Sequence, residues 1–145
     1  MSSKGVAILD CLPHREPFLF VDEIVELSGR RILARKHVDA SMDFFRGHYP
    51  NHPIMPGVLM CECCFQAGAI LMSHLDKGER SGLKTPVLTR IQDARFKRIV
   101  KPGETLDIEV SLDDEVDHAC YMTGRASVGG EAAVRVTFAC MAAEL

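Results

Sequence analysis

Val58-Leu59-Met60-Cys61-Glu62-Cys63-Cys64-Phe65-Gln66-Ala67-Gly68-Ala69-Ile70-Leu71-Met72-Ser73-His74-Leu75 is the most apolar run of the chain. Its length predicts a helix, and a helix apolar nearly all round belongs in the centre of a fold. The run is almost long enough to span a bilayer. However, Glu62, Gln66, Ser73 and His74 interrupt it, and a carboxylate in mid-span is costly. A helix buried in protein is expected, with no membrane as partner.

Upstream, Phe44 to Gly57 carries Pro50, Pro53, Pro56 and Gly47, which excludes regular structure and predicts a stiff loop. Before it, Asp10 to Phe18 is turn-rich, with Pro13 and Pro17. Phe18 to Leu27 and Arg31 to Val38 read as two strands meeting in a hairpin at Ser28-Gly29-Arg30.

Downstream, Lys77 to Pro86 is polar and closes the helix, and Val87 to Phe96 reads as a strand. Leu106, Ile108, Val110 and Leu112 alternate with polar residues, as do Val134, Val136, Phe138 and Cys140 with Ala133, Arg135, Thr137 and Ala139. Both have the period of half-buried strands. Between them Tyr121 to Val128 runs into Gly129-Gly130, a hairpin signal.

Two strands, a stiff loop, one long helix and three or four antiparallel strands predict an α+β fold in which the sheet curls around the helix. No repeat or linker divides the sequence, so residues 1–145 are expected to form a single domain. One sheet face would stay open, so a homodimer at least is expected.

The 145 residues are 47% apolar and 26% charged, as in ordinary globular proteins. A net charge of -3 does not suggest a nucleic-acid partner. Met1 to Ala7 has no long apolar stretch and no cleavage site, so a cytoplasmic location is expected. Cys61, Cys63 and Cys64 lie too close together on one helix to face a single ion, and Cys11, Cys120 and Cys140 fall singly in apolar patterns. Reduced, buried thiols are expected. His14, His37, His52, His74 and His118 have no carboxylate or cysteine at ligand spacing and are read as non-catalytic, His14-Arg15 as structural.

The chemistry concentrates in Phe45-Arg46-Gly47-His48-Tyr49-Pro50-Asn51-His52-Pro53-Ile54-Met55-Pro56-Gly57-Val58-Leu59-Met60-Cys61-Glu62. His48 sits in a loop whose prolines limit its freedom. Pro56-Gly57 opens the helix, where the first N–H groups lack intrahelical partners and can receive an oxygen that becomes negative. Glu62 stands on an otherwise apolar helix, where desolvation pushes a carboxyl towards neutrality. Gln66, four residues on, lies on the same face and could orient it. A raised carboxyl near a histidine suits proton transfer at neutral pH. Structural readings stay open beside this one: a hydrogen-bonded loop histidine, and a glutamate at a polar edge of the core or paired with an arginine.

At these residues the chain resembles the β-hydroxyacyl-acyl-carrier-protein dehydratases of bacterial fatty-acid synthesis, which have the hot-dog fold. Leu12-Pro13-His14-Arg15-Glu16-Pro17-Phe18-Leu19-Phe20-Val21-Asp22 resembles the family's first motif. Gly47-His48-Tyr49-Pro50, Pro53 to Leu59, Glu62 and Gln66 resemble its active-site motif, and Ala94-Arg95-Phe96-Lys97-Arg98 with Val100 and Pro102-Gly103-Glu104 its third block.

The resemblance implies dehydration of carrier-linked β-hydroxyacyl thioesters to trans-2-enoyl thioesters, with His48 as base and Glu62 as acid. It implies that Gly57 N–H polarises the thioester carbonyl, that the Ile54 carbonyl fixes the imidazole of His48, and that Gln66 holds Glu62. It also implies no metal and no redox cofactor, dimers with His48 of one subunit and Glu62 of the other lining each acyl tunnel, and often hexamers as trimers of dimers. Glu16 and Cys63-Cys64-Phe65 depart from the pattern, which bears on acyl preference.

Between Lys77 and Lys101 eight Lys and Arg face two acids, leaving -9 for the rest of the chain. Such a basic segment suits an acidic acyl carrier protein or the phosphate of its phosphopantetheine, docking at Arg95, Lys97, Arg98 and Lys101; solvated strand faces are the alternative. Rival activities on the same fold are an acyl-thioester hydrolase, an acyl-CoA hydratase and a non-catalytic acyl-thioester sensor.

Overall fold

The computed structural model describes residues 7–76 and 84–145. Six antiparallel strands form one sheet around a long helix. In chain order these are a short helix α1 (Ile8–Cys11), β1 (Glu23–Ser28), β2 (Arg31–His37), a 3-10 turn (Asp43–Arg46), α2 (Gly57–Asp76), β3 (Lys84–Phe96), β4 (Thr105–Val116), β5 (Ala119–Val128) and β6 (Glu131–Glu144). The strand order across the sheet is β1-β2-β4-β5-β6-β3.

Helix α2 is central, as its composition requires. Residues from Met60 to Met72 are buried except for the partly exposed Glu62, and the alternating apolar positions of β4 and β6 pack onto it. Leu106, Ile108, Val110, Val134 and Val136 are all fully buried. Gly124 on β5 permits a close approach: a Cβ there would lie 2.7 Å from Cβ of Cys64.

Several boundaries differ from the sequence reading. β1 begins at Glu23 instead of Phe18 because the side chain of Gln66, not a neighbouring strand, takes the backbone groups of Phe18 and Phe20. The loop after β2 is not wholly irregular: its start folds into the 3-10 turn, in which Phe44 O accepts from the N–H groups of Gly47 and His48. β3 begins at Lys84, so part of the segment read as closing the helix is strand. Pro86 is accommodated because β3 is a sheet edge. The remainder of that segment, 77–83, lies outside the described residues.

The β4–β5 hairpin turns at Asp117 and His118, with φ of 49° and 70°. This is the two-positive-φ geometry that Gly or Asn ordinarily announces.

The outer sheet face, where the sequence reading expects a partner, is polar. It carries Arg35 paired with Asp107, Arg31 paired with Glu109, and the exposed Arg125 and Arg135. Exposed apolar side chains gather instead on edge strand β3 and beside it: Leu88, Ile91, Phe96 and Ile99, with Val58 at the start of α2 and Tyr49 in the loop before it. Every residue from Leu88 to Phe96 is exposed.

Candidate active site

His48 is held by its own loop. Its N–H donates to Phe44 O at 3.0 Å, and its ring meets that of Tyr49 edge-on at 4.7 Å. The loop end is pinned where Met55 N–H donates to Val100 O at 2.8 Å. His48 Nδ1 lies 2.9 Å from Ile54 O. A carbonyl only accepts, so Nδ1 carries the proton and Nε2 presents a lone pair. An imidazole held this way can act as a base.

Glu62 lies one and a half turns into α2, and its partners determine which of its oxygens accepts. Phe20 N–H donates to Gln66 Oε1 at 2.8 Å. Because a backbone N–H can only donate, the amide orientation of Gln66 is forced. Its Nε2 therefore donates to Phe18 O at 3.1 Å and to Glu62 Oε2 at 3.0 Å. Burial pushes the Glu62 carboxyl above its ordinary range, and the Gln66 hydrogen bond and the nearby His14 pull it partway back. His14 Nε2 stands 3.6 Å from Glu62 Oε2, a contact between distant parts of the chain that spacing did not announce.

At the start of α2 the N–H groups of Leu59 and Met60 turn back to Pro56 O, while those of Gly57 and Val58 find no acceptor among the described residues. Glycine here leaves room for the ring of Phe96. A Cβ on Gly57 would sit 2.8 Å from Cε1 of Phe96, so a side chain would push the Phe96 ring off the helix start. His48, Ile54, Gly57, Val58, Phe96 and Lys97 line one cavity of about 620 Å³.

Glu62 does not line that cavity; Leu59, a turn earlier on its face of the helix, lines another with Glu16, Phe18 and Phe20. Within one chain, therefore, Glu62 is not among the residues that line the cavity of His48.

The four basic residues considered for docking are not equivalent. Arg98 grips Glu104 through two hydrogen bonds and Glu131 through a third. That grip and the Lys101 N–H hold the Glu104 carboxyl below its usual range, so Arg98 is a structural fork between loops. Arg95 pairs with Asp93 at the surface, whereas Lys97 and Lys101 are exposed and make no ion pair among the described residues.

The cysteines are free thiols, five of them buried and Cys11 partly so. Burial pushes Cys63 and Cys64 up, and Cys140 to about 12. Among the described residues no three His, Cys, Asp or Glu side chains gather in a way that could hold a metal ion.

Residues 12–137 match the family model described as FabA-like domain. A 3-hydroxyacyl-[acyl-carrier-protein] dehydratase FabZ of Oenococcus oeni is 46% identical over 84% of this chain and 86% of its own length. The FabZ of Variovorax paradoxus is 42% identical over 92% and 89%. Among solved structures, the dehydratase heterocomplex ApeI:P from Xenorhabdus doucetiae superposes with a TM-score of 0.83 at 16% identity, covering 97% of this chain and 93% of that one. A hypothetical thioesterase with coenzyme A from Streptococcus pneumoniae gives 0.64 at 15%, covering 84% and 88%. At such identities the solved structures speak for the shared hot-dog fold alone.

Proposed function

The chain belongs to the FabA-like family and, within it, to the 3-hydroxyacyl-[acyl-carrier-protein] dehydratases, and from that membership we propose that it removes water from 3-hydroxyacyl thioesters on acyl carrier protein in fatty-acid synthesis. The observation that carries the residue assignment is the Nδ1 contact of His48 with Ile54 O, 2.9 Å long. It leaves Nε2 unprotonated beside the free N–H groups of a helix start.

In this reading Nε2 of His48 takes the Cα proton, and the thioester oxygen gains negative charge against Gly57 N–H. The Cβ–O bond breaks as Glu62 gives its proton to the departing hydroxyl. Water leaves and the Cα–Cβ double bond forms. His48 then releases its proton and Glu62 regains one. Burial supports Glu62 in this role, because an acid must hold its proton at neutral pH. Ile54 and Gln66 keep the two groups oriented.

That Glu62 is not among the residues lining the His48 cavity supports a homodimer in which each site takes one of them from each subunit, with a trimer of dimers as the larger assembly. Lys97 and Lys101, without an ion pair among the described residues, fit the docking of an acidic carrier, with Arg95 beside them. A carrier-linked substrate also fits a cytoplasmic enzyme.

The test is to supply 3-hydroxyacyl carrier thioesters of several lengths and follow enoyl absorbance alongside free-thiol release. Enoyl formation is expected without thiol release, and His48→Ala or Glu62→Gln should each lower kcat by roughly 10²- to 10⁴-fold. Thiol release without enoyl product would make the protein a hydrolase.

A further inference from the structure

Glu62 has a neighbour that this reaction does not use. His14, in the loop leading to β1, places Nε2 3.6 Å from Glu62 Oε2. Its ring stacks on Phe18, with centroids 6.1 Å apart and planes inclined by 24°. Arg15 ties down the backbone around it by donating to the carbonyls of Leu12 and His14, both at 2.7 Å. His14 Nδ1 is buried and meets no hydrogen-bond partner among the described residues. A buried N–H without an acceptor is rarer than a buried acceptor without a donor. The proton of the neutral ring therefore belongs on Nε2, pointing towards Glu62.

This makes the two oxygens of Glu62 unequal. Gln66, whose orientation the backbone of Phe20 forces, already donates to Oε2 at 3.0 Å. His14 offers a second N–H to the same atom, at a distance where it acts through its dipole more than as a full hydrogen bond. An oxygen facing two donors is the accepting one. We propose that His14 is a positioning residue for Glu62, which together with Gln66 keeps Oε2 as the acceptor and leaves the transferable proton on Oε1. The proposal rests on Glu62 being the acid.

The other titratable groups around Glu62 do not compete for this role. Cys61 and Cys63 on α2 and Cys140 on β6 feel its charge, but burial pushes each thiol up and keeps it neutral. Lys36, which acts on Cys63, is engaged by Asp22 at 3.0 Å. An imidazole is the one neighbour of a type that titrates near neutrality.

Two measurements on the full chain test the proposal. The His14 ring nitrogens are read by 15N NMR in the native protein. The neutral ring should carry its proton on Nε2, towards Glu62, and none on Nδ1. His14→Phe keeps a ring against Phe18 but removes the donor, whereas His14→Gln returns an N–H near the place of Nε2. For dehydration, kcat should fall about tenfold in His14→Phe with KM changed by less than about twofold, and His14→Gln should recover most of it.

A proton on Nδ1 of the neutral ring, or equal impairment of the Phe and Gln variants, would overturn the proposal. Should His14→Phe fail to fold, the tautomer decides by itself. Normal dehydration by Glu62→Gln would remove the acid, and the proposal with it, even where the Nε2–H tautomer is found; the two failures are therefore distinguishable.

Discussion

The Glu62 carboxyl is held above its ordinary value of 4.5, first by burial, which makes the stability of the fold depend on pH. The folded chain binds this proton more tightly than the unfolded chain. The stability that goes with the un-ionised acid is therefore full below the ordinary carboxylate range and is lost as pH rises through the folded value. Glu62→Gln is neutral throughout and escapes that loss. Its stability relative to the native chain should grow as pH rises from about 4 to 8, measured by denaturant melts at a series of pH values. Parallel curves for the two proteins would mean that Glu62 titrates as an exposed carboxylate does. The same residue marks a limit of reading from sequence. Its apolar setting and Gln66 at the next turn were legible from spacing. His14 was not, because a separation of 48 positions hides a contact that exists only once the N-terminal loop lies across α2.

At the scale of elements, α2 and the alternating strands β4 and β6 were legible because period and composition agree there. The misplaced limits of β1 and β3 have tertiary causes: a side-chain amide captures the backbone of Phe18 and Phe20, and a free sheet edge tolerates Pro86. The turn at Asp117–His118 lacked a glycine signal although its backbone adopts the left-handed region. The packing of α2 against β5 predicts a specific weakness. In Gly124→Ala the added methyl would meet Cys64 Cβ at 2.7 Å, a collision with the base of a side chain that no rotamer change relieves. Stability should fall by about 1–3 kcal/mol, read from a urea transition. An unchanged midpoint would show that β5 can withdraw from the helix freely.

At the scale of the whole molecule, the proposed sharing of each site between two subunits predicts that two dead proteins make a live one. His48→Ala and Glu62→Gln, unfolded and refolded together, should give mixed dimers in which one site combines both lesions and the other has neither. With random pairing, half the dimers are mixed and half of their sites are intact, so activity should return to about one quarter of native. No recovery, with mixed dimers demonstrated, would put both groups of a site on one chain. The hot-dog fold was legible at this scale. The open sheet surface, where a partner was expected, carries the pairs Arg35–Asp107 and Arg31–Glu109, and exposed apolar groups lie along β3.

A sheet rim without a neighbour is an invitation to any passing chain, and β3 is such a rim for thirteen residues. Its register breaks between Leu88 and Arg90 and again between Gln92 and Arg95, so only short stretches are flat enough to accept another strand. At the opposite rim β1 is six residues long, carries Glu23 and Glu26, and is itself irregular between Ile24 and Glu26. Joining two copies rim to rim through β3 would consume both inviting edges and leave only the guarded ones outward. Growth by sheet extension would then stop at two, and a protein made in quantity would be spared from polymerising into fibres.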